Sequence, residues 1–185
     1  MTAGAFDPAS EVLRTARLDL LLLPLEFCEA ILAGDRARAA EVLGNPLADW
    51  PFGDEVRLAF PGYVERLRAD PSIAVWQGRA VIVRETGEVA GGINLKGRPR
   101  DGRVEIGYGL DPPWRHRGYA QEAARALVAR AFADPETREV VAVIAPENEA
   151  SMAVARSLGM RRTGELSSVH PGSYTWIVTR EAFAT

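Results

Sequence analysis

The residues best suited to chemistry lie in one hexapeptide, Arg115-His116-Arg117-Gly118-Tyr119-Ala120. Two guanidiniums, charged at any working pH, and an imidazole crowd a point where glycine removes the side chain and opens the backbone to a ligand. Upstream, Val104-Glu105-Ile106-Gly107-Tyr108-Gly109-Leu110 reads as a strand, which Asp111-Pro112-Pro113 ends. Downstream, Ala120, Ala123, Ala124, Leu127, Val128 and Ala131 recur at the spacing of one helical face. Strand, turn, basic glycine loop and helix start therefore follow one another. A first helical turn has unpaired N–H groups and partial positive charge, which suits a diphosphate. A solvated basic cap on an ordinary strand–loop–helix junction is the other reading of the same residues. Two familiar phosphate loops are excluded by spacing. No G-K-[ST] follows a glycine loop, and Gly107-Tyr108-Gly109 lacks the third glycine of the dinucleotide fingerprint.

The elements that must hold this loop are legible on either side. Arg17–Leu23 reads as a buried strand ending at Pro24, and Leu25–Ala33 and Asp35–Leu43 read as helices separated by Gly34. Asn45-Pro46, Trp50-Pro51-Phe52-Gly53 and Phe60-Pro61-Gly62 punctuate an irregular stretch before a helix over Tyr63–Ala69. Alternation at Ile73, Val75, Val81 and Val83 predicts a strand over Ser72–Arg84, joined through Thr86-Gly87 to a second over Glu88–Lys96. Gly91-Gly92 weakens that second strand or marks a bulge. After the central helix come a strand over Val140–Ala145, a helix over Glu149–Leu158 stopped by Gly159, and strands over Met160–Glu165 and Ser173–Thr179. Residues 1–11 are expected to form a tail and 12–185 a single α+β domain with a mostly antiparallel, partly parallel sheet.

Composition narrows the class. The 185 residues are 47% hydrophobic with a net charge of −3, enough apolar content for one sizeable core and too little positive charge for nucleic acid or an acidic membrane. The single cysteine, Cys28, sits among Leu25, Phe27, Ile31 and Leu32, so a buried structural thiol in a reducing compartment is expected. Met1–Ser10 shows no basic and apolar export signal, and no apolar run approaches a membrane span, so a cytoplasmic location is expected. No His, Cys and Asp cluster has metal spacing, and no Ser-His-Asp or Cys-His pairing is evident.

Arg115–Ala120 resembles the Q/R-x-x-G-x-G/A loop of the GNAT superfamily of acyl-CoA-dependent N-acyltransferases. Asn148-Glu149-Ala150-Ser151 through Ser157-Leu158-Gly159-Met160 resembles that superfamily's next helix, one helix and one strand further on. Glu105-Ile106-Gly107-Tyr108 and Trp114 point to the branch of ribosomal-protein-alanine N-acetyltransferases. The resemblance implies a mixed sheet of six to seven strands with helices on both faces. It also implies acetyl-CoA as co-substrate without a metal, and a primary amine as acceptor; a homodimer is compatible with it.

Residue by residue, the resemblance assigns the diphosphate to Arg115, His116, Arg117, Gly118, Tyr119 and Ala120, and the pantetheine amides to Asn148, which is equally an N-cap. A bulge or kink near Gly107–Gly109 would free the N–H of Gly109 or Leu110 for the thioester oxygen. Glu105 resembles the strand glutamate that serves some relatives as base; about one alkyl amine in a thousand is neutral at pH 7, so a base is needed. His170 is the alternative base or acceptor contact. Trp50, Phe52, Asp54 and Glu55 are expected along the acceptor groove. The tyrosine that many relatives place seven residues after this asparagine is Ala155 here, which leaves Ser151 as the nearest hydroxyl to protonate the departing thiolate. A CoA-binding domain without catalysis and a nucleotide-binding module unrelated to CoA are the competing readings.

Overall fold

Alternation of apolar side chains decides the sheet. Leu18, Leu20 and Leu22 are buried while Asp19 and Leu21 are partly exposed, the period-two pattern of a strand with one face on the core. The computed structural model describes residues 11–47, 49–51, 53–167 and 170–184. Among these, one sheet of eight strands has the order β1-β2-β3-β4-β5-β6-β8-β7. The strands are β1 (Val12–Arg14), β2 (Leu18–Leu22), β3 (Gly78–Val83), β4 (Val89–Leu95), β5 (Arg103–Leu110), β6 (Glu139–Ile144), β7 (Arg161–Leu166) and β8 (Tyr174–Thr179). All pairings are antiparallel except β5 with β6. The helices are α1 (Leu25–Leu32), α2 (Arg36–Leu43), α3 (Asp54–Ala69), α4 (Tyr119–Phe132), α5 (Glu149–Ser157) and α6 (Arg180–Phe183).

The expected α+β class holds, with corrections. Eight strands replace six to seven, because Val12–Arg14 forms a short edge strand on β2. The tail does not include Glu11, whose carboxylate meets Arg130 Nε at 2.5 Å and lies 3.3 Å from Nη2 of the fully buried Arg79; residues 1–10 lie outside the described residues. The expected strand over Ser72–Arg84 begins only at Gly78. Pro71–Trp76 is a 3-10 helix whose first turn Asp70 caps, so the alternation of Ile73 and Val75 belonged to a helical turn. Helix α3 starts at Asp54 rather than Tyr63 and runs through Pro61. Proline costs a helix one N–H and a clash, and the buried residues on this helix, Phe60, Val64 and Leu67, compensate through packing.

The glycines of β4 are used twice. Val81 pairs with Gly91 but Ile82 pairs with Val89, so Ala90 is the extra residue of a bulge, as Gly91-Gly92 led one to expect. Gly91 has φ 147, and a Cβ there would come within 2.2 Å of the Gly109 carbonyl oxygen, so the backbones of β4 and β5 approach closely at this point. Helix α4 lies across the sheet and buries Tyr119, Ala123, Ala124, Leu127, Val128, Ala131 and Phe132, the stripe expected from spacing with an aromatic at each end. On the opposite face, Phe27 of α1 stacks on Trp50 and meets Phe60 of α3.

Candidate active site

The site begins where the parallel pair comes apart. Strands β5 and β6 pair only through Arg103–Glu139, Val104–Val140 and Glu105–Val141, although β5 continues to Leu110 and β6 to Ile144. Beyond Glu105 the two strands form a fork. On its other edge β5 stays in register with β4, from Leu95–Ile106 to Gly91–Leu110, without a shift. The expected bulge at Gly107–Gly109 is therefore absent; the irregularity sits one strand away, at Ala90. The fork itself frees the backbone. Lys96 N donates to Glu105 O and Asp111 N to Ala90 O, so ladder alternation turns Gly107 and Gly109 toward β4 and Ile106, Tyr108 and Leu110 toward the gap. Of the two expected oxyanion donors, Leu110 has its N–H on the gap side and Gly109 does not. The Leu110 carbonyl accepts from Arg115 Nε at 2.7 Å.

Helix α4 follows one arm of the fork and α5 the other. Gly118 is the N-cap of α4 in the left-handed region at φ 78, with no side-chain cap, and His116 is also left-handed at φ 58. Histidine is among the few non-glycine residues found there. The first helical bond runs from Glu122 N to Gly118 O, so the amides of Tyr119, Ala120 and Gln121 precede the helical ladder. Arg115, His116 and Arg117 are exposed around them. Buried Trp114 braces the loop, packing on Tyr119 at 6.2 Å between ring centres, with the Arg117 guanidinium 5.3 Å over its ring. Residues 115–120 are thus gathered at one helix mouth.

At α5, Asn148 Oδ1 accepts from Ser151 N at 3.0 Å, the expected N-cap. Ser151 is half-buried, and its carbonyl accepts from the Tyr108 hydroxyl at 3.1 Å, a bond that joins β5 to α5. Burial pushes Tyr108 up to about 12, so its hydroxyl keeps its proton and acts as a donor. Ala155, at the position where the resemblance implies a tyrosine, is fully buried.

Glu105, Gly107 and Gly109 face the other side of the sheet, beside their cross-strand partners Lys96, Asn94 and Gly92. A Cβ on Gly92 would come within 2.7 Å of Trp50 Cζ2, and one on Gly107 within 2.7 Å of Asn94 Oδ1. The Trp50 indole therefore lies against the backbone beside Gly109. Trp50 N donates to Asp111 Oδ2 at 3.0 Å; burial raises the Asp111 carboxyl. Glu105 is half-buried on this face and ion-paired with Lys96. Phe52 and the side chains of Asp54 and Glu55, also expected here, lie outside the described residues. His170 is exposed at the β7–β8 tip, with its amide on Ser167 Oγ at 3.0 Å. Pairing of Ile144 with Tyr174 puts that tip at the open end of the fork, while Glu105 sits at the closed end.

Two residues brought to this region by the fold were not singled out from the sequence. Arg17, from the β1–β2 turn, donates Nη1 to the Arg117 carbonyl at 3.0 Å and pairs with Glu122 at 2.7 Å. Asn94 stands beside Gly107. Neither carries a local signal, since each reaches the site only through tertiary contacts. Among the described residues, no group of three His, Cys, Asp or Glu could hold a metal ion.

A mixed sheet split at its parallel pair, with an uncapped glycine helix start at the split, agrees with the resemblance of the loop to acyl-CoA-dependent N-acyltransferases. Residues 46–161 match the acetyltransferase (GNAT) domain family, and the chain belongs to it. Over 72 residues it is 35% identical to YnaD of Bacillus subtilis (strain 168), an uncharacterized N-acetyltransferase; the match covers 39% of this chain and 42% of that one, so the chain spans less than half the length of this relative. Two solved structures share the fold. The ribosomal-protein-S5-alanine acetyltransferase of Vibrio fischeri superposes with a TM-score of 0.67 at 15% identity, over 93% of this chain and 98% of that one. RimL, a ribosomal L7/L12 alpha-N-protein acetyltransferase in complex with coenzyme A, superposes with a TM-score of 0.62 at 18% identity, over 93% and 99%.

Proposed function

We propose that this chain transfers an acetyl group from acetyl-CoA to a primary amine, either a protein N-terminus or a small-molecule amine. The observation that carries this reading is the fork: strands that stop pairing after Glu105 and Val141, with the left-handed Gly118 mouth of α4 at its open end. Amides at residues 118–120, with Arg115, His116 and Arg117 around them, would hold the diphosphate. The gap would take the pantetheine arm, with the Leu110 N–H directed toward the thioester oxygen.

The acceptor would approach past Trp50 to the Glu105 face. The amine nitrogen attacks the acetyl carbonyl carbon, the C–N bond forms and the C–S bond breaks. Glu105, through intervening water, takes the ammonium proton; the thiolate is protonated from water or by Ser151. His170, at the open end of the fork, is the alternative base. A reducing cytoplasm fits the buried thiol of Cys28, and sedimentation would show whether the working species is a homodimer.

Ala155 favours a second reading, a CoA-binding domain that does not turn over, because the position of the usual proton donor is a buried methyl. An amine panel scored by free-thiol release and acceptor mass shift separates the two. A mass gain of one acetyl group with matching thiol release supports transfer. Tight CoA binding with neither signal supports the second reading.

A further inference from the structure

We infer that Arg17 is a positioning residue for the phosphate-binding turn: its guanidinium fixes the orientation of the Arg117–Gly118 peptide so that the Gly118 N–H faces the helix mouth. This rests on the carrier reading above. Arg17 arrives from the β1–β2 turn, far away in sequence, and all of its guanidinium is committed. Nη1 donates to the Arg117 carbonyl at 3.0 Å. Nε and Nη2 each reach Glu122 Oε2 at 2.7 Å, and the group lies 4.6 Å over the Tyr119 ring. Glu122 is held in turn on its other oxygen, by Thr15 Oγ1 at 2.6 Å and Arg17 N at 2.8 Å. The cluster is a clamp between the first strand pair and the first turn of α4.

The consequence follows from peptide geometry. In a planar trans peptide the C=O and N–H point in opposite directions. Holding the Arg117 oxygen on the Arg17 side therefore sends the Gly118 N–H the other way. This peptide needs a holder, because glycine at 118 tolerates either orientation, and His116 and Gly118 on either side of Arg117 are both left-handed. A Cβ at Gly118 would stand 3.4 Å from Arg17 Nη2, so the clamp sits against the glycine itself. A turn fixed before the ligand arrives loses less freedom on binding, which strengthens affinity for the part of the ligand that the turn contacts.

The test compares two ligands that differ in the diphosphate. Calorimetric dissociation constants for coenzyme A and for pantetheine are measured with the intact wild-type chain, Arg17→Ala and Arg17→Lys, with melting curves as a check on folding. Arg17→Ala is expected to weaken coenzyme A about tenfold, the effect of one charge-assisted hydrogen bond, and to leave pantetheine unchanged. Arg17→Lys, which restores the charge but not the fork, is expected to fall between, and decides alone if the alanine variant does not fold. Equal weakening of both ligands would make Arg17 a general structural residue, and no weakening of either would remove its role; both results overturn the assignment. A wild-type chain that binds no coenzyme A would overturn the carrier reading and the assignment together, whereas wild-type binding with indifferent variants overturns only the assignment.

Discussion

The two helices that follow the arms of the fork begin in opposite ways. Helix α5 caps itself: Asn148 Oδ1 accepts from Ser151 N, and the Glu149 N–H donates to the Glu147 carbonyl, so first-turn amides are taken by the protein's own groups. Helix α4 starts at a left-handed glycine with no side-chain cap, and the surrounding residues, Arg17 and Trp114, hold the loop from behind. A side chain that caps a helix uses the same amides an anion would use. On the proposed reading, the contrast separates a start closed for stability from one left open for the carrier's diphosphate.

Mutations can break that contrast. The largest effect is expected from Gly118→Val. A β-branched residue at φ 78 is strained by more than about 1–2 kcal/mol, and relief of that strain redirects the amides of the turn. Acetyl-CoA affinity should fall roughly a hundredfold by calorimetry, while the melting point changes by only a few degrees. Next, Glu105→Gln should lower turnover at neutral pH about tenfold to a hundredfold with little change in carrier affinity, as steady-state rates against binding constants would show. Equal turnover at all pH values would remove Glu105 as the base.

Asn148→Ala should act in the reverse sense to Gly118→Val, costing about 1 kcal/mol of stability in chemical denaturation with a smaller loss of carrier affinity. If its affinity loss matched that of Gly118→Val, the two helix starts would share one role.

How much of this was legible depended on range. The glycine loop, the apolar stripe of α4 and the Asn148 cap are local patterns, and the structure places all three as their spacing required. The Ala90 bulge was half-visible in Gly91-Gly92. What stayed hidden was non-local. Arg17 looks like a surface charge until β1–β2 and α4 meet, and the fork cannot be seen in a strand whose two edges pair differently over its length. The expected bulge in β5 is absent because Gly107 serves close packing instead: a Cβ there would meet Asn94 Oδ1, and β5 stays in register with β4. Ile73 and Val75 misled because a 3-10 turn also spaces apolar residues closely.

pH separates the two regions more gently. Glu122 is pushed up by burial, but the bonds from Thr15 and Arg17 outweigh this and hold it below its ordinary value. Its stabilisation is therefore present above the unfolded glutamate range, near pH 4.3, and is lost as pH falls through the lower folded value. The melting point should decline in that acid window, and Glu122→Gln should flatten the decline. Tyr108, raised by burial from about 10 to about 12, has the opposite sign. Its contribution is complete below about pH 10 and is lost as pH rises to about 12, so Tyr108→Phe should lose about 1 kcal/mol at neutral pH and show a shallower alkaline decline. The smallest effect is at Cys28. Its thiol is fully buried and pushed up to about 12 by that burial, so the native chain should resist a thiol reagent that reacts at once after denaturation.

Amide chemical shifts during a titration with coenzyme A test the central claim most directly. The largest displacements are expected at the N–H groups of Gly118, Tyr119 and Ala120, with Ser151 moving less because its amide is already bonded to Asn148. Saturable binding that left those three signals in place and moved another surface instead would contradict the account.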